Sequence, residues 1–503
     1  MKNELIEKNF MFAKFMEKMI LGKKLDDHLA LFFAKFVASN PTGCYYFKDF
    51  EKYLIGISNQ YNYTKEINKS DKILLVMSEA YVAGGHTRIV EHTIKNSPRD
   101  NFNLVFTRAN FDIPVSLISI CEEKTVTIQY LSSGDIISKS LELRKISSKY
   151  SKVVMHIHPE DFIPVLSYGV ESWDIPVFLY NHAEHRTWFG NSIVDLVMDL
   201  SNKASENTKQ FRMVQNSEVL DIPLEQKNIE PDINLKLREY HSIPNDAIVF
   251  FSGGSSYKYN PNKTIDFTTV VDDILKNVKN SFFVIIGIKS ESKNWIKLKE
   301  KYKKRLIMLT SMPYTEYEKY YNIVDIYIDS MPVSGFTVLL EAAVRKIPIV
   351  ALASPFSFPD SINSQCVEYQ NIMQRVNHLI STGNSENNDM KNHYLENFIK
   401  KHFDLINSVS SHKSLDINDI NNVYLDSDNT SYTSYILSTV CNNNVNFNHN
   451  LFADINFIKK IKILRKAVNV YGFKKTWKLF IPKKIKIYLK NQLFKNAYIK
   501  EKK

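Results

Sequence analysis

Three short stretches carry residues whose types and spacing suit a phosphate-bearing ligand. The first, SEAYVAGGHTR at 78–88, sets Gly84 and Gly85 directly before His86. A glycine pair lets backbone approach a ligand closely, and an imidazole titrating near neutral pH can polarise or deprotonate a hydroxyl. A turn with a capping His fits the same residues. The second, FFSGGSSYKYNPNKT at 250–264, offers Gly253, Gly254, Ser255 and Ser256, then Tyr257 and Lys258. Flexible backbone, hydroxyl donors and a mobile cation suit a diphosphate and its departure as a leaving group. It is not a P-loop, because GxxxxGK[ST] is absent. A surface lysine in a turn is the bland alternative. The third, DIYIDSMPVSGFTVLLEAAVRKIPIVALA at 325–353, reads as strand, loop, helix, strand. A helix opening at Gly335, Phe336 and Thr337 presents free N–H groups and roughly half a positive charge. Glu341, six residues after Gly335, could accept hydrogen bonds from a sugar hydroxyl. The same residues also fit a plain βαβ unit with a solvated Glu.

Such loops act together only if strands hold them at one edge. From residue 71 the sequence alternates strands and helices, which argues for an α/β fold with parallel sheets wound on both faces. Strands are expected at 72–78, 102–107, 126–131, 152–158, 175–180 and 195–199. A second run has them at 247–252, 282–287, 306–310, 326–329 and 348–352. Residues 221–245, with three prolines and many charges, mark the domain boundary. The expected division is a helical region at 1–70, a first Rossmann-like domain at 71–225 on the acceptor side, and a second at 226–404 for the donor. An Asn/Ser-rich loose segment at 405–456 and a basic amphipathic tail at 457–503 follow. The helices after 366 complete the second domain, and one is expected to cross back to the first. The N-terminal helices serve as a packing cap or an oligomer contact. Two facing sheets of this kind create a cleft between their strand C-termini, where ligands bind.

Composition narrows the function classes. The chain has 503 residues, 44% hydrophobic and 24% charged, an ordinary globular balance with ample core material. Four scattered cysteines make no CxxC or Cys/His cluster, so neither a disulfide framework nor a zinc site is indicated. The first residues are polar and no apolar run approaches ~20 residues, so a cytoplasmic protein is expected, peripheral at a membrane at most. The net charge of +11 is uneven. Residues 459–503 hold 16 Lys/Arg and one acid, a net of +15, which leaves the rest at −4. The slightly acidic body argues against nucleic acid as a partner. The tail, divided by Pro482, mixes Lys with aromatics and suits an anionic membrane surface. A solvated tail packing on the acidic body is the alternative.

The sequence from about 71 to 385 resembles the GT-B glycosyltransferases. Within them it is most similar to the O-linked N-acetylglucosamine transferases and the related bacterial cytoplasmic protein glycosyltransferases. Tyr257-Lys258-Tyr259-Asn260-Pro261 resembles their Tyr-Lys-x-Asp-Pro segment, whose Lys contacts the UDP diphosphate. DSMPVSGFTVLLEAA resembles their Asp-x-x-Pro-x-x-G-x-T loop and helix. The resemblance implies phosphate binding at Thr337 and ribose binding at Glu341. Gly85-His86 resembles the first-domain loop that carries a His. Tyr180-Asn181-His182-Ala183 resembles an acceptor-side turn, and Glu184 follows as a cleft-lining group. This chain departs from the pattern at Phe336, where the family has His, and at Val338, where it has a second threonine. The retaining E-x7-E pattern is incomplete, because no glutamate stands eight residues before Glu341. The resemblance therefore implies transfer from a nucleotide-diphosphate sugar, a UDP-sugar first, with inversion and with neither metal nor cofactor. Lys258 and His86 are the catalytic candidates, and the acceptor is a glycan, a lipid-linked glycan or a protein. A sugar-nucleotide epimerase and a non-catalytic sugar-nucleotide-binding partner of another transferase are the alternatives.

Two further clusters are weaker. HIHPED at 156–161 and NHAEHRTW at 181–188 crowd histidines after strands, and the HxH spacing on a strand is ordinarily structural. Asp426 and Asp428 in YLDSDNT read as an Asx turn rather than a metal-nucleotide site.

Overall fold

A computed structural model describes the chain except residues 1–3, 23, 68, 83–84, 99, 110, 133, 227–229, 289–292, 355–357, 359, 364, 384–389, 413–431, 440, 442–443, 477–478 and 480–503. Two all-parallel sheets dominate it. The first has seven strands: β1 Ser70–Met77, β2 Phe102–Phe106, β3 Ile128–Tyr130, β4 Tyr150–His156, β5 Val177–Tyr180, β6 Leu196–Asp199 and β7 Ser217–Val219. The second has six: β8 Ile248–Gly253, β9 Ser281–Ile286, β10 Leu306–Leu309, β11 Ile326–Ile328, β12 Ile349–Leu352 and β13 Cys366–Val367.

The strands form where the sequence offers β-prone apolar runs. In β1 the five successive residues Ile73, Leu74, Leu75, Val76 and Met77 are buried, on both faces, as a central parallel strand requires. Helices cover each face, so burial of a Val, Leu or Ile there contributes roughly 1.5–3 kcal/mol. The order is β3-β2-β1-β4-β5-β6-β7 in one sheet and β10-β9-β8-β11-β12-β13 in the other. Each order reverses direction once, between β1 and β4 and between β8 and β11. At such a reversal the adjoining loops splay apart and leave a crevice beyond the strand C-termini. The loops at 78–88 and 250–264 and the one at 329–335 all leave strands that border these two crevices.

The remaining segments tie the two sheets together. The helix Leu395–Asn407 crosses back to the first sheet, as expected: Phe403 stacks on Phe102 at 6.1 Å and Asn407 accepts a bond from Lys152 at 2.7 Å. The N-terminal helices Glu4–Ile20, Asp27–Ser39 and Lys48–Ser58 bury their apolar faces against the outer side of the first sheet, in one core with Val153, Val165 and Phe189. Packing, the blander of the two roles expected for them, is what the structure shows.

Three stretches carry more structure than their composition suggests. The 221–245 stretch is not only a linker: Pro231–Tyr240 is a helix, started by a proline at its first turn. The Asn/Ser-rich segment holds the helices Tyr432–Thr439 and His449–Asp454 where it is described. The first third of the tail is a packed helix, Phe457–Tyr471, with Ile463, Ala467, Val470 and Tyr471 buried; the Tyr471 ring meets Phe12 at 5.6 Å and its hydroxyl meets Asn9 at 3.0 Å. Its apolar stripe is used inside the protein. The tail beyond Pro482, Asp426 and Asp428 lie outside the described residues. Among those described, no helix is long and apolar enough to cross a membrane.

Candidate active site

Glycines set the shape of the donor-side loops. A Cβ at Gly253 would lie 1.9 Å from the Tyr317 hydroxyl. One at Gly287, where φ is +97°, would lie 2.1 Å from the Gly254 carbonyl oxygen. Only hydrogen at these positions lets the turn after β9 press on Gly254 and present the following Ser255 and Ser256 outward. The short 3-10 turn Ser256–Tyr259 then aims Lys258 back across the sheet end. Its Nζ donates to the Ser334 carbonyl oxygen at 2.8 Å. Burial lowers the Lys258 pKa, and the Asp329 charge opposes the shift.

Asp329, at the end of β11, organises the third loop. Its Oδ1 accepts from the Ser330 and Gly335 backbone N–H groups at 2.9 and 2.8 Å. Burial pushes its carboxyl up to about 6, with those bonds and Lys258 pulling the other way. Ser334 Oγ accepts from Phe336 N at 2.9 Å. Phe336 sits at φ +44°, a conformation non-glycine residues rarely adopt, and stacks on Phe358 at 5.7 Å. The helix begins at Thr337 and runs to Val344 with no side chain capping its first N–H groups. That leaves donors at the helix start available to an anion.

The two domains meet here. A Cβ on Gly85 would lie 3.3 Å from Thr337 Oγ1, so the His86 loop touches the helix start. Arg88, one turn further on, forms an ion pair with Glu341, and its guanidinium lies 3.6 Å over the Tyr314 ring. Tyr321 donates to the other Glu341 oxygen at 3.0 Å. Glu341 is 2% exposed. The expected ribose-binding carboxylate therefore already has both oxygens engaged, one by the opposite domain. For it to accept a ribose hydroxyl, Arg88 or Tyr321 must share it.

His86 sits among three other histidines. Its Nε2 is 2.9 Å from the His156 carbonyl oxygen, which can only accept. Nε2 therefore carries the proton and Nδ1 the lone pair. Nδ1 is buried with no hydrogen-bond partner among the described residues. Burial, with His158 adding to it, lowers the His86 pKa to about 3, so the ring is neutral at physiological pH. His182 packs 4.3 Å from the His86 ring, and its Nε2 shares a 2.9 Å bond with His156 Nδ1. Despite this crowding, no set of three or more described His, Cys, Asp or Glu side chains is arranged to hold a metal.

The loop after β5 supplies the other cleft wall. Glu184 turns toward the end of β6: its Oε2 lies 3.4 Å from Ser201 Oγ and its backbone oxygen accepts from Arg212 at 2.5 Å. Burial and the nearby Asp199 raise its carboxyl to about 7. It is thus a structural neighbour of Asp199, while His182 joins His86. Arg186 points elsewhere, bonding the Ala38 carbonyl at 2.8 Å.

The structure brings His86, Gly85 and His182 together on one side and Gly254, Ser255, Ser256, Tyr257, Lys258, Gly335, Phe336 and Thr337 on the other. Gly84 lies outside the described residues. Sequence reasoning missed Arg88, Tyr321 and Asp329. Arg88 stands two residues after His86 on the same helix, and Asp329 ends a strand directly before the Pro332 loop; a search for ionisable groups flanking the candidate loops would have found both.

No family model matches the chain. A UDP-N-acetylglucosamine–peptide N-acetylglucosaminyltransferase of Giardia intestinalis is 23% identical over 162 residues, covering 31% of this chain and 10% of that protein. The match thus spans a tenth of the relative's length. Among solved structures, Anabaena HepE in complex with UDP-glucose aligns with TM-score 0.50 and 12% identity over 67% of this chain and 100% of that one. A glycosyltransferase from Rickettsia africae aligns with TM-score 0.52 and 14% identity, covering 67% and 98%. With two doubly wound parallel sheets whose switch-point loops face each other, the chain has the GT-B glycosyltransferase fold.

Proposed function

We propose that the chain is a glycosyltransferase that moves a sugar from a nucleotide-diphosphate donor, a UDP-sugar first, to a glycan, lipid-linked or protein acceptor. The observation that carries this is the meeting of Lys258, the open start of the Thr337–Val344 helix and the His86 loop at one cleft. In this reading the Lys258 ammonium leaves the Ser334 carbonyl for the diphosphate and stabilises the charge that builds as the sugar departs. The helix N–H groups hold the same phosphates. Glu341 orients the ribose while Arg88 keeps its charge balanced. His86 Nδ1 accepts the acceptor hydroxyl's proton; the negative diphosphate nearby raises its low pKa toward the working range. Attack opposite the leaving group gives inversion. Lys258 and the helix start supply the charge stabilisation, so the reaction proceeds without metal or cofactor. The Lys-rich stretch from 482 onward would hold the enzyme at an anionic membrane surface.

Incubation of the purified chain with a panel of UDP- and GDP-sugars and bacterial glycan extracts tests this. The expected result is acceptor-dependent release of the nucleoside diphosphate that persists in EDTA. Conversion of the sugar without release of diphosphate would instead identify an epimerase.

A further inference from the structure

A second cavity, of about 460 Å³, opens at the ends of β2, β3 and β4, beyond the His86 loop. Its size lies in the range of small-ligand pockets. One wall is the start of the N-terminal helix Asp27–Ser39, with Asp27, His28 and Leu31; the others carry Arg108, Lys139 and Glu160. The helical region before the first sheet therefore lines this cavity as well as packing on the sheet.

The wall has a definite chemistry. His28 and Lys139 reach it with no hydrogen-bond partner for their side chains among the described residues, and Asp27 uses only Oδ2, which accepts from Ile136 N at 2.9 Å. Donors and a carboxylate acceptor thus stand side by side, as hydroxyl groups require. Four carboxylates, Asp27, Asp135, Glu160 and Asp161, outnumber the cations Arg108 and Lys139, so the wall opposes an anion. A neutral polyhydroxylated ligand fits this balance.

Arg108 links this cavity to the catalytic loops. Its Nη2 donates to Glu160 at 3.0 Å, and its Nη1 meets Glu79 at 3.2 Å and His158 Nδ1 at 3.1 Å. The His158 ring lies 5.5 Å from that of His86. Lys35, from the same N-terminal helix, also pairs with Glu160 at 2.5 Å. Arg108 thus joins the cavity wall to His158, the neighbour of the proposed base.

We propose that this cavity is the acceptor subsite and takes a sugar unit of a neutral glycan, whose next hydroxyl reaches toward His86. The proposal rests on the transferase reading above. The test uses the full chain on an array of neutral and anionic oligosaccharides and Ser/Thr peptides, with UDP-induced thermal stabilisation measured in parallel. The wild-type chain is expected to bind neutral oligosaccharides. The His28→Ala/Lys139→Ala double variant and the cavity-filling His28→Trp are expected to bind them at least tenfold more weakly, both with unaltered stabilisation by UDP. Binding confined to anionic glycans or peptides, no glycan binding at all, or neutral-glycan binding that survives both variants would overturn the proposal. Failure of UDP to stabilise the wild-type chain would instead overturn the transferase reading, and the glycan array would still decide the cavity.

Discussion

At the scale of single residues, the Arg88–Glu341 pair is the feature with the largest consequence. Glu341 is almost fully buried and Arg88 only 20% exposed at its side chain, so neither charge is well solvated. Removing one partner leaves the other buried and uncompensated, which costs about 3–5 kcal/mol. Arg88→Met alone should therefore lower the melting temperature strongly, and Arg88→Met with Glu341→Gln should recover most of the loss. A double-mutant cycle by chemical denaturation measures the coupling; strict additivity would show that the pair is inert. Glu341 was legible in the sequence as a polar residue inside an apolar helix, and Lys258 through its glycine-rich loop. Arg88's role was not, because its partner lies 253 residues away. Lys258 and Ser334 are likewise 76 residues apart. Separations of that size become contacts only once both sheets exist.

At the scale of elements, the strands were the most readable part, since buried parallel strands are continuous apolar runs such as KILLVM and FFVII. The misses have physical reasons. β7 is three residues, SEV, and β13 only two, too short for any periodicity. The Pro231–Tyr240 helix is mostly polar and looks like a linker because little of it is buried. Glu51 on the Lys48–Ser58 helix was also invisible as a tether. It is fully buried, and its oxygens accept from Gly190 N at 2.8 Å, Ser192 N at 2.9 Å and Ser192 Oγ at 2.5 Å. This clasp fixes the turn after the His182–Trp188 loop. Glu51→Ala would leave those donors unsatisfied, at about 1–3 kcal/mol each before relaxation. The expected outcome is a clear fall in melting temperature and faster hydrogen exchange at 181–192. Unchanged exchange there would remove the clasp from the site's architecture.

At the scale of the whole molecule, a set of buried neutral histidines makes the fold sensitive to acid. His402, on the crossing helix, is fully buried with neither ring nitrogen partnered among the described residues, and burial lowers its pKa to about 4. His86 and His185 are lowered to about 3, and His156 and His182 are also lowered by burial. A histidine whose folded pKa is depressed contributes stability that is present above its unfolded pKa near 6.5. That stability is lost as pH falls toward the folded pKa. Stability should therefore decline from about pH 6.5 down to about 4. His402→Phe, which keeps the stack on Phe398, should shallow that decline while leaving stability at pH 8 little changed. An identical acid limb in the variant would exclude His402 as a contributor. The basic tail shows the same closure of the chain: five of its sixteen Lys/Arg lie on the packed helix Phe457–Tyr471, which charge counting alone does not separate from a surface-binding one.

The central claim is that Lys258 and the Thr337 helix start form a nucleoside-diphosphate site. Thermal stabilisation by uridine, UMP and UDP, compared between the wild-type chain and Lys258→Ala, tests it most directly. UDP should stabilise the wild-type chain more than UMP and uridine do, and Lys258→Ala should lose the increment due to the second phosphate while melting within a few degrees of wild type without ligand. Equal stabilisation of both proteins by UDP, or none of the wild-type chain by any of the three ligands, would contradict it.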